Sequence, residues 1–141
     1  MPKIIFSDMD GTLTNNELLS PSFFEVLCFA KERGHPFVIV TGRSLSWGHF
    51  LLTHFDIDYV ISEGGGVIAY KKDGYIEEKV LVSSELTTKL ANTMKELEES
   101  YGDIPHSKDS FGRLTDRALE YHLMNEKQDE KATQFLKERG A

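Results

Sequence analysis

Ile4-Ile5-Phe6-Ser7-Asp8-Met9-Asp10-Gly11-Thr12-Leu13-Thr14 is the stretch that decides the fold class of this 141-residue chain. An uncharged apolar triplet at its start fits a strand buried on both faces, as in a parallel sheet. The triplet runs into two carboxylates separated by one residue, and period-two geometry sends Asp8 and Asp10 towards one side. Open α/β sheets hold ligands at the carboxyl ends of their strands, where these acids stand. Gly11 then lets the chain turn sharply.

Two further apolar runs, Phe37-Val38-Ile39-Val40 and Tyr59-Val60-Ile61, repeat the pattern. Between the first and second lies a helix signal with Ser20 as N-cap, Pro21 at the first helical position and Gly34 past the end. Its Phe23, Val26, Leu27 and Ala30 fall on one face. A second helix begins after Ser44, with Trp47, Phe50, Leu51 and His54 at helical spacing. Strand, helix, strand, helix, strand is the unit of an open parallel sheet with right-handed crossovers.

After Gly64-Gly65-Gly66 the rhythm changes. Val67 to Tyr70 and Tyr75-Ile76 flank Asp73-Gly74, a hairpin signal. A helix is expected from Ser84 to Tyr101, with Leu86, Leu90, Met94, Leu97 and Tyr101 on one stripe. A half-wet strand is expected over Leu119 to Leu123, and a last helix from an Asn125 cap to Gly140. The fold class is therefore α/β: a partial Rossmann-like parallel sheet over residues 1–70, followed by an α+β cap over residues 71–141. Charge follows this division, with 4 basic and 8 acidic side chains in residues 1–70 against 12 and 15 in residues 71–141.

Hydrophobic residues make up 40% and charged residues 28%, which excludes disordered and collagen-like classes. A net charge of −7 opposes non-specific attraction to nucleic acid or to anionic membrane, so a small ligand is the expected partner. A lone cysteine, Cys28, cannot form an internal disulfide, and the sequence offers neither a signal-peptide core nor an apolar run long enough to span a bilayer. The expected location is the cytoplasm.

The chemistry begins with Asp8 and Asp10. Two carboxylates so close repel one another, and a divalent ion resolves the conflict. Mg²⁺ suits such oxygen ligands, taking one or two carboxylates and completing its shell with water and phosphate. Asp8 is then placed to attack phosphorus, and Asp10 to protonate the leaving oxygen and later deprotonate water. Val40-Thr41-Gly42-Arg43-Ser44 ends the second strand with a hydroxyl, a bare amide and a helix start, a junction suited to phosphate. Thr41 donates to a phosphoryl oxygen, Gly42 offers its amide and Arg43 adds charge. Asp8 and Asp10 as mere turn formers, Thr41 as a plain cap and Arg43 as a surface charge are the competing structural readings.

With these residues in view, Asp-Met-Asp-Gly-Thr-Leu-Thr at 8–14 resembles the first motif of haloacid dehalogenase superfamily phosphatases, and Val-Thr-Gly-Arg at 40–43 resembles the second. Ile-Ser-Glu-Gly-Gly-Gly-Val-Ile at 61–68 is similar to the third-strand segment of the Cof-like, sugar-phosphate branch, whose large cap follows that strand. That branch usually has Asn where this chain has Gly64. The resemblance implies Asp8 as nucleophile and Mg²⁺ ligand, Asp10 as acid and base with its carbonyl on the metal, and Thr41 as phosphate ligand. It adds Glu63 and Gly64 as substrate-side residues, and Arg117 and His122 as cap residues meeting a sugar phosphate. The third and fourth family motifs, a Lys and a further acidic pair, are not recognisable, so the chain reads as an N-terminal portion with weak or absent turnover. A non-catalytic phospho-ligand or assembly module and a phosphomutase are the alternatives. An unfinished sheet leaves an open edge, from which a homo-oligomer is expected.

Overall fold

The computed structural model describes residues 3–16, 18–102 and 104–140. Its centre is a five-stranded sheet in the order β1 (Ile5–Asp8), β4 (Phe37–Val40), β5 (Tyr59–Ser62), β6 (Val67–Lys72), β7 (Tyr75–Val80). The expected parallel trio is present, with Ile5 opposite Phe37 and Val38 opposite Tyr59. β6 and β7 then add antiparallel. A two-stranded flap, β2 (Thr14–Asn15) and β3 (Leu18–Leu19), follows the acidic loop. The expected domain boundary at residue 70 falls inside β6. The hairpin stays with the sheet because β6 pairs along β5, and the sheet runs on to Val80.

α1 (Pro21–Glu32) and α2 (Leu45–His54) connect parallel strands that advance across the sheet in one direction. Right-handed crossovers of that kind put both helices on the same face. There Phe23, Leu27, Ala30, Leu51 and Leu52 form one cluster with Phe37, Ile39, Val60, Val67 and Ala69. Strand alternation turns Phe6, Val38, Tyr59 and Tyr70, which stand opposite one another in register, to the other face. That face leaves Phe6 62% and Tyr59 43% exposed.

The helix faces differ in part from the expected ones. Val26 and Cys28 are exposed on α1. On α2 the buried residues are Leu45, Gly48, Leu51 and Leu52, while Phe50 is exposed. The cause is Gly48, where a Cβ would lie 3.1 Å from Ser62 Oγ and 3.5 Å from Val60 Cγ1. Turning the glycine to the sheet leaves Phe50 outside and Trp47 at the margin of the core, where their rings meet edge to face at 5.8 Å.

The second half forms its own apolar cluster, in which α3 (Ser84–Tyr101) and α4 (Glu126–Glu138) pack through Met94, Leu97, Ala132 and Phe135 with Ile104. α4 starts at the expected Asn125 cap, where Asn125 and Gln128 bond reciprocally as a capping box. The expected strand over Leu119 to Leu123 does not form: Leu119 makes one bridge to His106, and Tyr121–Leu123 is a 3₁₀ turn. Its partner segment is Pro105 to Ser107, and Pro105 accepts from Glu120 N–H but has no N–H to extend the ladder. No helix among the described residues is long and apolar enough to cross a membrane.

Candidate functional site

β1 ends at Asp8, and the chain then folds over its own carbonyl. The amides of Leu13 and Thr14 both donate to the Met9 carbonyl, at 2.9 and 3.0 Å, and Gly11 takes a φ of 79°. Met9 and Leu13 are buried, which fixes the loop from inside and leaves Asp8 and Asp10 exposed on its outer side. Asp10 is gripped by Arg43, whose Nε lies 3.0 Å from both carboxylate oxygens and whose Nη2 lies 2.7 Å from Oδ1. The guanidinium also stacks on Trp47, 4.2 Å from the ring centroid.

The second motif is held from several sides. Thr41 is buried, and its Oγ1 accepts from Arg43 N–H at 3.1 Å while keeping its own proton to donate. Ser44 occupies the N-cap position of α2, but its hydroxyl pairs with Ser46 Oγ instead of capping. Asp109 supplies the cap from far along the chain, accepting Ser44 N–H at 2.9 Å. Glu63 accepts Leu45 N–H at 3.0 Å. The helix start expected to receive phosphate is thus largely taken by the protein's own carboxylates. Of the amides from Gly42 to Leu45, that of Gly42 has no partner among the described residues.

Glu63 and Gly64 occupy a tight turn with φ of 56° and 62°. The Glu63 side chain is buried and faces inwards, where Leu114, Thr115 and Asp116 N–H and Thr115 Oγ1 also donate to it. Burial works to raise its pKa, but the bonds from Thr115, Leu45 and Leu114 outweigh it and hold the carboxyl below the ordinary value. Glu63 is therefore engaged by the backbone of residues 114–116.

A cavity of about 630 Å³ lies between these loops and the second half, lined by Asp10, Arg43 and Trp47 on one side and by Lys108, Asp109, Glu120 and His122 among others on the opposite one. Of the residues singled out in the sequence, it brings together Asp10, Arg43 and His122. Arg117 is turned away, its Nη1 donating to the carbonyls of Asp116 and Arg113. Asp8 is exposed and does not line the cavity. Sequence reasoning missed Trp47 as a wall, and also Lys108, Asp109 and Arg113. The i, i+4 spacing of Asp109 and Arg113 was a signal for a local ion pair, but nothing in it pointed to residues 42 to 44.

Two exposed carboxylates one residue apart are a donor set that fits Mg²⁺, which completes its shell with water and substrate oxygens. No group of three His, Cys, Asp or Glu side chains that could hold a metal occurs among the described residues. The metal would therefore be held by Asp8 and Asp10 alone among them.

Residues 5–139 match the model of the haloacid dehalogenase-like hydrolases, and the chain belongs to that family. Among solved structures, protein 0175 of Thermoplasma acidophilum superposes with a TM-score of 0.70 at 19% identity, over 99% of this chain and 59% of its own, a likeness of fold. BT1666 of Bacteroides thetaiotaomicron, described among phosphatases of the haloalkanoate enzyme superfamily, is 28% identical with a TM-score of 0.51, over 72% of this chain and 36% of its own. BT4131, described as a subclass IIB sugar phosphatase, is 25% identical with a TM-score of 0.52, over 74% of this chain and 39% of its own. The chain thus spans 59% or less of the length of these structures. No curated protein matches it.

Proposed function

We propose that this chain carries the nucleophile half of a Mg²⁺-dependent phosphatase acting on a small phosphorylated metabolite, a sugar phosphate in the first instance, in the cytoplasm. The observation that supports it most is the meeting of Asp10, Arg43 and His122 around one cavity, with Asp8 exposed two residues before Asp10. The sugar-phosphate class follows BT4131, the subclass IIB sugar phosphatase to which the chain is similar.

In this reading an Asp8 carboxylate oxygen attacks phosphorus, the bond between phosphorus and the ester oxygen breaks, and Asp10, protonated once it is freed from Arg43, gives that proton to the departing oxygen. Asp10 then takes a proton from the water that attacks the aspartyl phosphate, releasing phosphate and restoring Asp8. Thr41 Oγ1 and Gly42 N–H receive the phosphoryl oxygens. The Asp8 carboxylate and the Asp10 carbonyl would hold Mg²⁺, which would supply neutralisation of the phosphoryl charge. The Arg43 ion pair must open first. With the Asp10 side chain 46% and that of Arg43 26% exposed, such a pair is worth about 1 kcal/mol at most, so opening it is easy.

The test is hydrolysis of p-nitrophenyl phosphate with Mg²⁺ by the chain and by Asp8→Asn. Slow turnover that Asp8→Asn abolishes is expected, and equal rates overturn the assignment. A second reading, a non-catalytic module for a phosphorylated ligand, is favoured by the lack of a third acid beside Asp8 and Asp10 among the described residues. Calorimetric binding of phosphate with Mg²⁺ in the absence of turnover selects that reading. Transfer of the phosphoryl group within one sugar uses the same Asp8 chemistry, and product analysis separates it from hydrolysis.

A further inference from the structure

The segment from Asp109 to Asp116 lies far along the chain from the second motif, yet it closes on that motif at every level. Arg113, with 6% of its side chain exposed, sits at the centre. Its Nε and Nη2 meet the two Asp109 oxygens at 3.0 and 3.1 Å, and its Nη1 meets both Asp116 oxygens at 2.8 Å and the Gly42 carbonyl at 3.1 Å. Asp109 in turn holds Ser44 N–H, and Glu63 ties Leu45 N–H to the amides of residues 114–116. Gly112 lies equally close to the start of α2: a Cβ on it would lie 2.2 Å from Ser46 Oγ and 2.6 Å from Ser46 Cβ.

A planar guanidinium with donors at fixed angles transmits position, because moving any one partner breaks the alignment of the others. The groups it fixes directly or through Asp109 are the Gly42 carbonyl and the Ser44 amide, which flank the peptide units that orient Gly42 N–H and the Arg43 side chain. Burial acts against charge on both Asp109 and Arg113. Their bonds outweigh it, lowering the Asp109 pKa and raising that of Arg113, so the pair stays ionised.

We propose that Arg113 and Asp109 are positioning residues, a brace from the cap-side segment that sets the Thr41–Leu45 loop in its phosphate-receiving shape. The brace itself is a statement about the loop, and its bearing on phosphate depends on the function proposed above. It reaches residues that neither motif spacing nor family likeness marked.

Two measurements on the full chain test it, with Arg113→Met, Asp109→Asn and, as a control, Arg139→Ala, which removes the Arg139–Glu96 pair between α4 and α3. Amide hydrogen exchange is expected to speed up at least tenfold at Ser44 and Leu45 in Arg113→Met and Asp109→Asn, and to stay unchanged there in Arg139→Ala at a matched loss of thermal stability. The Kd for inorganic phosphate with Mg²⁺, and the KM for p-nitrophenyl phosphate, are expected to rise about tenfold in both brace variants with a smaller fall in kcat. Arg113→Lys, which keeps charge but not the fork, falls between. Loop exchange equal to wild type in the brace variants overturns the proposal. If wild type binds no phosphate, the phosphatase reading fails while the exchange result still decides the brace. If Arg113→Met does not fold, Asp109→Asn decides it alone.

Discussion

Arg43 holds Asp10 through a forked contact, 3.0 Å from Nε to each oxygen and 2.7 Å from Nη2 to Oδ1. In the reading proposed above Mg²⁺ binds at the Asp8–Asp10 loop beside this pair, so the Arg43 guanidinium and the cation compete for the negative field of the same loop. Removing the guanidinium in Arg43→Gln is expected to tighten Mg²⁺ binding by roughly fivefold, the equivalent of a pair worth about 1 kcal/mol. The KM for a phosphate ester is expected to rise in the same variant. Calorimetry with Mg²⁺ alone checks the first effect, and unchanged or weaker Mg²⁺ affinity refutes the competition.

Gly66 illustrates how tightly the two halves meet. A Cβ there would lie 1.9 Å from Thr115 Oγ1 and 2.6 Å from Thr115 Cβ, while the backbone φ of −72° is ordinary for any residue. Gly66→Ala is therefore expected to cost about 1–3 kcal/mol through overpacking alone. Adding Thr115→Gly removes both colliding atoms, so the double variant should lose less than the two single losses added together. Chemical denaturation of the set measures it, and simple additivity would show that the contact is not shared.

The parallel part of the sheet was legible in the sequence because its three strands are short apolar runs whose ends are marked by Asp8, Thr41 and Ser62. The acids were legible for the same reason: buried Met9 between them forces both outwards. The orientation of α2 was not, since Trp47 and Phe50 outweigh Gly48 in any apolar pattern, although close approach at Gly48 sets the face. Nor was the role of Glu63, because its partners lie around residue 115 and no local spacing reports them. The same holds for Asp109 as the cap of α2, where Ser44 looked sufficient.

Phe6 lies opposite Val38 at the sheet edge, 62% exposed, in an edge strand that contains no Lys or Pro. The far edge, β7, is protected by Glu77, Glu78 and Lys79. Given such an asymmetry, any pairing with another copy is expected on the β1 side. The chain is expected to associate reversibly as concentration rises in sedimentation velocity, and Phe6→Lys to shift it towards monomer. A wild-type monomer across a wide concentration range would remove the basis for this expectation.

Glu63 gives the fold a defined response to acid. Its carboxylate accepts Leu45, Leu114 and Thr115 N–H together with Thr115 Oγ1, and these bonds lower its folded pKa below the ordinary 4.5. A group with a depressed folded pKa contributes stability that is fully present above its unfolded value and is lost as pH falls through the folded one. Wild-type stability attributable to Glu63 is thus intact at neutral pH and declines below about pH 4.5, the ordinary carboxyl value. Glu63→Gln places an NH₂ group against a ring of N–H donors and leaves at least one of them unpaired, at a cost of about 1–3 kcal/mol. The expected result is a variant less stable than wild type at pH 7, with the gap narrowing as pH drops towards 3. Urea denaturation at each pH measures the difference, and a gap that stays constant would show that the bonds to Glu63 do not depend on its charge.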